Sequence, residues 1–169
     1  MTYFSLYETP LGWSDLRLES DGSFITAVLF LGSSDASKGT EDALYKEDLP
    51  VVLELREWFD KYFKGENPKP FSSFRMSFRS DFQKKVYEIL LSIPYGRTLT
   101  YGDIAKLLTK GSEKKMSAQA VGGAVGRNPL CILVPCHRVI GKGGKLVGYG
   151  GGLKNKELLL KLERKNGTH

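Results

Sequence analysis

The sequence is short of the residue types that several classes of function require. It contains two cysteines and two histidines in 169 residues. The start Met1-Thr2-Tyr3-Phe4-Ser5 has neither the basic residues nor the apolar stretch of a secretory signal. Without export, Cys131 and Cys136 are expected to stay reduced rather than form a structural disulfide. A zinc site is a poor fit as well. His169 is the terminal residue, so four well-placed ligands are hard to assemble. No metal and no cofactor is expected. No apolar run approaches the ~20 residues that cross a bilayer, so a cytoplasmic protein with no membrane partner is the default reading. The hydrophobic fraction of 41% and charged fraction of 26% are those of an ordinary globular chain with one or two domains.

Acidic residues are scarce in one half only. Residues 1–79 hold nine Lys/Arg against thirteen Asp/Glu, a net of −4. Residues 80–169 hold sixteen against six, a net of +10. Such asymmetry nominates the second half to meet a polyanion, although a solvated basic surface accounts for it equally well.

What is present divides near residue 79. Strands are predicted around Ser5–Tyr7, Ser14–Glu19 and Phe24–Leu31, with turns at Thr9–Gly12 and Asp21-Gly22. The polar stretch Gly32–Asp48 reads as a surface connection. Pro50 opens a helix in which Val52, Leu55, Phe59, Tyr62 and Phe63 recur at helical spacing until Gly65. Phe71–Phe78 suggests one more strand. Beyond it, Ser80 and Gln83 form a capping-box signature for a helix with Phe82, Val86, Ile89, Leu90 and Ile93 on one face. Thr100 can cap a short helix bearing Ile104, Leu107 and Leu108. After a basic connection, Lys110–Lys115, a second short helix begins near Ser117 and carries Ala120, Val121, Ala124 and Val125. Two short helices in a basic region suggest a helix-turn-helix.

The second of these helices is almost bare of long side chains. Gly122 and Gly123 each cost ~1 kcal/mol relative to alanine. Either the helix packs closely on a neighbour, or it approaches something outside, such as a nucleic-acid groove. Only Gln119 could read base edges, which points to sequence-indifferent binding. A β-rich run, Leu130–Val134, then leads into Pro135-Cys136-His137-Arg138. A glycine-rich stretch, Gly141–Gly152, is read as a hairpin and loop. Lys154–Arg164 is a last helix with Leu158, Leu159 and Leu162 facing inward.

A thiol with an unperturbed pKa of ~8.5 needs a base, a cation or N–H donors to become a nucleophile. His137 and Arg138 follow Cys136 directly, but neighbours on an extended strand point to opposite faces. His137 could serve Cys136 only if the chain turns there, which Pro135 supports, or if a water bridges them. A buried thiol beside a satisfied histidine is the plainer reading, and Cys131 fits it as a core residue.

Ile132-Leu133-Val134-Pro135-Cys136-His137-Arg138-Val139-Ile140 closely resembles the active-site signature of the 6-O-alkylguanine-DNA alkyltransferases. Ile93 to Ala105, Ala120 to Val125 with Asn128-Pro129, and Gly148 to Leu153 with Lys156-Glu157 resemble further family segments in family order. The resemblance covers residues 80–165, and residues 1–79 match more loosely through Thr9-Pro10-Leu11-Gly12. It implies an α/β fold class: a small N-terminal α/β, ribonuclease-H-like scaffold domain over 1–79, and a mainly helical, winged helix-turn-helix-like domain over 80–169 that carries the reactive cysteine.

By the same resemblance, Cys136 accepts an alkyl group irreversibly, once per molecule. His137 removes the thiol proton through water and Glu163 orients His137. Tyr101 donates to the leaving guanine and Asn128 ties the hinge to the active-site turn. Val139, Tyr149, Gly150 and Gly151 hold the flipped base, with Lys156 close by. Thr100, Tyr101, Gln119, Ala120, Gly122, Gly123, Arg127 and Arg138 are expected at the DNA interface. The implied partner is double-stranded DNA containing 6-O-alkylguanine, with 4-O-methylthymine a second candidate lesion, bound by a monomer. Two positions depart from the family pattern: Gln119 stands where an arginine often fills the base stack, and Gly150 where serine often bonds the guanine oxygen. A lesion-binding regulator and a cysteine hydrolase are the competing classes. The cysteine argues against the first and the basic helix-turn-helix against the second.

Overall fold

The computed structural model describes residues 1–111 and 115–167. Part of the basic Lys110–Lys115 connection and the terminal His169 lie outside the described residues.

A four-stranded sheet begins the chain, in the order β3-β2-β1-β4. β1 (Tyr3–Tyr7), β2 (Leu16–Ser20) and β3 (Ile25–Phe30) form an antiparallel meander, and the two-residue β4 (Leu44–Tyr45) adds in parallel to β1. Leu16 and Leu18 alternate onto the buried face as their spacing requires. At the Asp21-Gly22 turn, Gly22 takes a φ of +104°, a conformation few other residues adopt. α1 (Pro50–Phe63) starts on proline and lays Val52, Leu55, Phe59 and Tyr62 against the sheet and its surroundings.

The expected strand over 71–78 is replaced by a single bridge between Ile25 and Phe74. The outer edge of β3 is shared between two crossing segments. Ile25 exchanges backbone bonds with Ser73 and Arg75, and Val28 with Pro129 and Cys131. Neither segment has the edge to itself, so neither runs on as a strand. Through the second crossing, the first half of the chain is stitched directly to the segment that leads into Cys136.

α2 (Asp81–Ser92) is capped by Ser80, which accepts from the Gln83 N–H, while the Gln83 side chain returns to the Arg79 N–H. α3 (Tyr101–Leu108) carries a complete capping box between Thr100 and Asp103. Ile104 is buried but Leu107 is half exposed, so the inward face of α3 is narrower than its sequence suggests. α4 (Ala118–Val125) packs on α2 and α3 through Val121, Ala124 and Val125, and Ala120 points to solvent. β5 (Leu99–Thr100) and β6 (Val139–Ile140) pair in parallel, bringing the start of α3 beside the cysteine turn. α5 (Leu153–Asn166) closes the chain; it buries Leu159 and Leu160, while Leu158 and Leu162 are half-buried.

Two more expectations are corrected. Leu130–Val134 is not a strand but a buried turn. Ile132 takes a φ of +72°, and the Leu133 N–H bonds back to the Cys131 carbonyl. A β-branched residue in this conformation costs on the order of 1–3 kcal/mol. Gly141–Gly152 is likewise no strand hairpin: the Gly141 N–H bonds the Lys145 carbonyl and closes a tight turn.

Candidate active site and nucleic-acid interface

Cys136 heads a single 3-10 turn, Cys136–Arg138. Pro135, with φ −79° and ψ 61°, lets the Cys136 N–H bond the Val134 carbonyl at 2.7 Å, an inverse γ-turn. The chain does turn at the cysteine, as service by His137 requires. Asn128 holds this geometry. Its amide NH2 is spread over the Val134 carbonyl at 2.9 Å, the Cys136 Sγ at 3.1 Å and the Leu130 carbonyl at 3.3 Å, while its Oδ1 accepts from the Leu130 N–H. One buried side chain therefore clips both sides of the strained turn at Ile132.

Behind the cysteine lies a charge network. His137 Nε2 is 2.6 Å from Glu163 Oε2. Arg138 donates to both Glu163 oxygens at 2.7 and 3.1 Å, and the Tyr62 hydroxyl and Gly96 N–H add further donors. Burial pushes the Glu163 carboxyl up, but the His137 and Arg138 contacts outweigh it and hold the group well below the usual carboxylate range. Burial also pulls the His137 pKa down, so the imidazole is neutral near pH 7. An ionised Glu163 only accepts, which places the proton on Nε2 and leaves Nδ1 with its lone pair. Nδ1 is buried and has no hydrogen-bond partner among the described residues. Burial pushes the Cys136 thiol up as well, partly opposed by the Asn128 bond and the Lys38 and Lys156 charges. Burial thus favours the protonated thiol, and the histidine that follows it in the chain favours its neutral form. Cys131, fully buried, is pushed well above the usual thiol range with no bond from an amide to oppose it.

Arg138, expected at the DNA interface, is turned toward the network. Its guanidinium is committed to Glu163 and, at 2.7 Å, to the Ile93 carbonyl, with 12% of its side chain exposed. It braces the network through these bonds. Lys156 is also turned inward, donating to the Val139 carbonyl at 2.6 Å and the Val147 carbonyl at 3.2 Å. It thereby pins the glycine-rich loop to β6.

An open pocket of about 810 Å³ lies between that loop and the helix-turn-helix. Tyr101, Gln119, Gly122, Tyr149 and Gly150 line it, so α3, α4 and the loop converge there. Burial keeps the Tyr101 hydroxyl protonated, and it reaches the Gly148 carbonyl at 3.4 Å. Gly151 is buried outside this lining: a Cβ there would meet the Tyr149 and Phe30 rings at 2.6 and 2.8 Å, so it serves packing. Val139 is buried in β6, Thr100 is taken up in its cap, and Arg127 is exposed beyond α4.

The two glycines of α4 are not explained by helix packing. A Cβ at Gly123 would meet nothing within 4 Å, and one at Gly122 would touch only the Tyr101 ring at 3.8 Å. With Ala118, Gln119 and Ala120 they form a smooth, accessible surface beside the pocket.

Sequence reasoning missed three contributors from the first half. The stretch read as a surface connection holds a 3-10 turn, Ser34–Lys38, that places Asp35 and Lys38 in the pocket wall. Tyr62, read only as core, is a donor to Glu163. Among the described residues, no group of three or more His, Cys, Asp or Glu is placed to hold a metal ion, and no helix is long and apolar enough to cross a membrane.

A buried thiol backed by a histidine–glutamate pair, set beside a helix-turn-helix with a smooth face, defines a protein that does covalent cysteine chemistry next to a nucleic-acid-binding surface. Residues 81–165 match the family described as 6-O-methylguanine DNA methyltransferase, DNA binding domain. The chain is 38% identical to the methylated-DNA–protein-cysteine methyltransferase of Haemophilus influenzae over 96% of its own length and 86% of the relative's. It is 40% identical to that of Methanosarcina acetivorans over 95% and 97%. The crystal structure of Mycobacterium tuberculosis OGT in complex with DNA superposes with a TM-score of 0.81 at 36% identity, covering 97% of this chain and 94% of that one. The chain belongs to the methylated-DNA–protein-cysteine methyltransferase family.

Proposed function

We propose that this protein repairs double-stranded DNA by moving the alkyl group of 6-O-alkylguanine irreversibly onto Cys136, so that each molecule acts once. The observation that carries this reading is the buried His137–Glu163 pair, 2.6 Å apart, behind a buried Cys136 whose sulfur Asn128 meets at 3.1 Å. His137 Nδ1 takes the thiol proton through a water, the sulfur–carbon bond forms, and the carbon–oxygen bond breaks with its electron pair left on guanine, which regains its N1 proton from water. Tyr101 donates a hydrogen bond to the leaving base, and Asn128 keeps the strained turn in place.

The lesion lies inside the duplex, so the nucleotide must leave the stack, at a cost of a few kcal/mol. The smooth face of α4, from Ala118 through Gly123, suits a minor groove that offers little to read and leaves no room for bulk. Gln119, exposed on the pocket rim, is the side chain that fills the vacated place in the stack. Arg127 and the exposed lysines of the basic half supply phosphate contacts. Residues 1–79 form the scaffold domain and 80–169 the reactive, DNA-binding one. A monomer in the reducing cytoplasm fits the two free thiols.

Intact mass after incubation with a duplex containing 6-O-methylguanine tests the reading. A gain of one methyl, absent in Cys136→Ala, is expected. Tight binding with no mass change would instead mark a lesion-binding regulator.

A further inference from the structure

The carboxylate behind His137 draws one of its donors from the first half of the chain. Tyr62, near the end of α1, is 1% exposed, and its hydroxyl lies 2.5 Å from Glu163 Oε2. This is the same oxygen that His137 Nε2 meets at 2.6 Å. Burial and the Glu163 charge push the Tyr62 phenol well above its usual range, so the hydroxyl keeps its proton and donates.

The ring is held in place from two sides. Trp58, one turn earlier on α1, stacks on it at 5.2 Å with an interplanar angle of 13°, and the Tyr95 ring meets it edge-on at 6.1 Å. Trp58 is itself tied by its indole N–H to the Lys69 carbonyl at 2.7 Å. This packing asks only for an aromatic ring. The hydroxyl is an addition to it, and among the described residues it bonds only the carboxylate.

The groups that face the pair are few. Glu163 is met by His137 and Arg138 from the 3-10 turn, by the Gly96 N–H, and by the hydroxyl of Tyr62, with Tyr95 near enough to sense its charge. His137 feels Glu163, which favours imidazolium, against burial and the Arg138 and Lys156 charges, which oppose it. The balance at His137 therefore depends on how much of Glu163's charge other donors take up.

We propose that Tyr62 is a positioning residue of the proton relay: its hydroxyl occupies part of the accepting capacity of Glu163 Oε2, so that the carboxylate orients His137 without drawing it into the imidazolium form. The inference rests on the repair reading above and gives the first half of the chain a part in the reaction. Without this donor, Oε2 turns more of its charge to Nε2 and stabilises imidazolium over imidazole. Neutral His137 is then lost at a higher pH.

Tyr62→Phe removes the hydroxyl and keeps the ring. In protein that carries His169→Gln, His137 is the only imidazole, and NMR reads its titration without DNA. In Tyr62→Phe the midpoint is expected to rise by about half a unit to one unit. Single-turnover methyl transfer from a 6-O-methylguanine duplex should lose its acid side by the same shift, with the rate near pH 8 changed less than ~3-fold. 3-Fluorotyrosine at position 62, a stronger donor of nearly the same shape, is expected to move the midpoint the opposite way, which a packing role does not do. Should the phenylalanine variant fold poorly, the fluorotyrosine protein carries the test. A His137 midpoint that stays unchanged in the folded variants, or falls in Tyr62→Phe, overturns the inference alone. A wild-type protein that binds the duplex but never transfers methyl overturns the repair reading, and this role with it, whatever the NMR midpoint.

Discussion

Two buried carboxylates close in on the cysteine turn from opposite parts of the chain, and they are treated very differently. Glu163, from α5, receives donors from His137, Arg138, Tyr62 and Gly96. Asp35, from the 3-10 turn Ser34–Lys38, receives Lys38 and one thiol. A fully satisfied carboxylate is a fixture: it sets the charge state and tautomer of the histidine and has nothing left to offer a ligand. An under-satisfied one at a pocket wall has acceptor capacity to spare. The side of the site behind the cysteine is closed, and the side that lines the pocket is open.

Breaking the closed side is expected to produce the largest effect. Glu163→Gln leaves Arg138 buried without its counter-charge and should cost ~3–5 kcal/mol of stability, read by urea unfolding. It should also slow methyl transfer by at least ~10²-fold, since the imidazole loses the partner that fixes its tautomer. A variant with wild-type stability and rate would show that the network is ornamental.

Asn128→Ala comes next. It orphans the buried Leu130 N–H and strips the Val134 carbonyl of one of its two donors, a loss of ~1–3 kcal/mol, and frees the Ile132 turn to relax. Transfer should fall more than binding to duplex DNA, because the turn positions Cys136 and not the face of α4. Equal losses in both would assign Asn128 to general folding.

Acid sharpens the comparison through two groups of one sign. Both His137 and Glu163 have depressed folded-state pKa values. The unfolded chain therefore takes up protons first as the pH drops. Stability should decline below the ordinary histidine value of ~6.5, and more steeply below the ordinary glutamate value of ~4.3. The lower step should shrink in Glu163→Gln. In kinetics, the wild-type rate should hold across neutral pH and fall only well below the ordinary histidine value of ~6.5, because His137 in the folded protein keeps its neutral form to lower pH. A rate that instead climbs with pH up to the thiol's own range would mean that pre-formed thiolate, not the histidine relay, sustains the reaction.

The smallest effect is expected outside both carboxylates. Arg127→Ala should weaken duplex binding modestly and lower the slope of log K against log salt by about one, without altering discrimination between lesions.

The same contrast marks what the sequence could reveal. Pro50 with a 3.6-residue apolar period, and Ser80 with Gln83, announce α1 and α2 because their signals are local. The Cys136 segment was equally legible: Pro135 predicts a turn from its own φ constraint. Leu130–Val134 misled because apolar, β-branched residues read as a strand, while the conformation is imposed by Asn128 clipping carbonyls up to six residues away. Phe71–Phe78 misled because its pairing depends on how much of β3's edge the 129–131 crossing leaves free. Asp35 and Lys38 carry no periodicity and sit in a polar stretch. Their burial is created by contacts about 90 to 100 residues distant in the chain. The one trace they left was at the other end of the contact, in the missing side chain of Gly150, where a Cβ would fall 2.0 Å from Asp35 Oδ1.

The central claim is that Cys136, activated through the closed side, is the sole acceptor of the alkyl group. Intact-mass analysis followed by peptide mapping, after reaction with duplex DNA containing 6-O-methylguanine, tests it most directly. One methyl per chain, on Cys136, unchanged in Cys131→Ala and absent in Cys136→Ala, is the result expected. A methyl on Cys131, or an unmodified chain that nonetheless binds the lesion tightly, would contradict it.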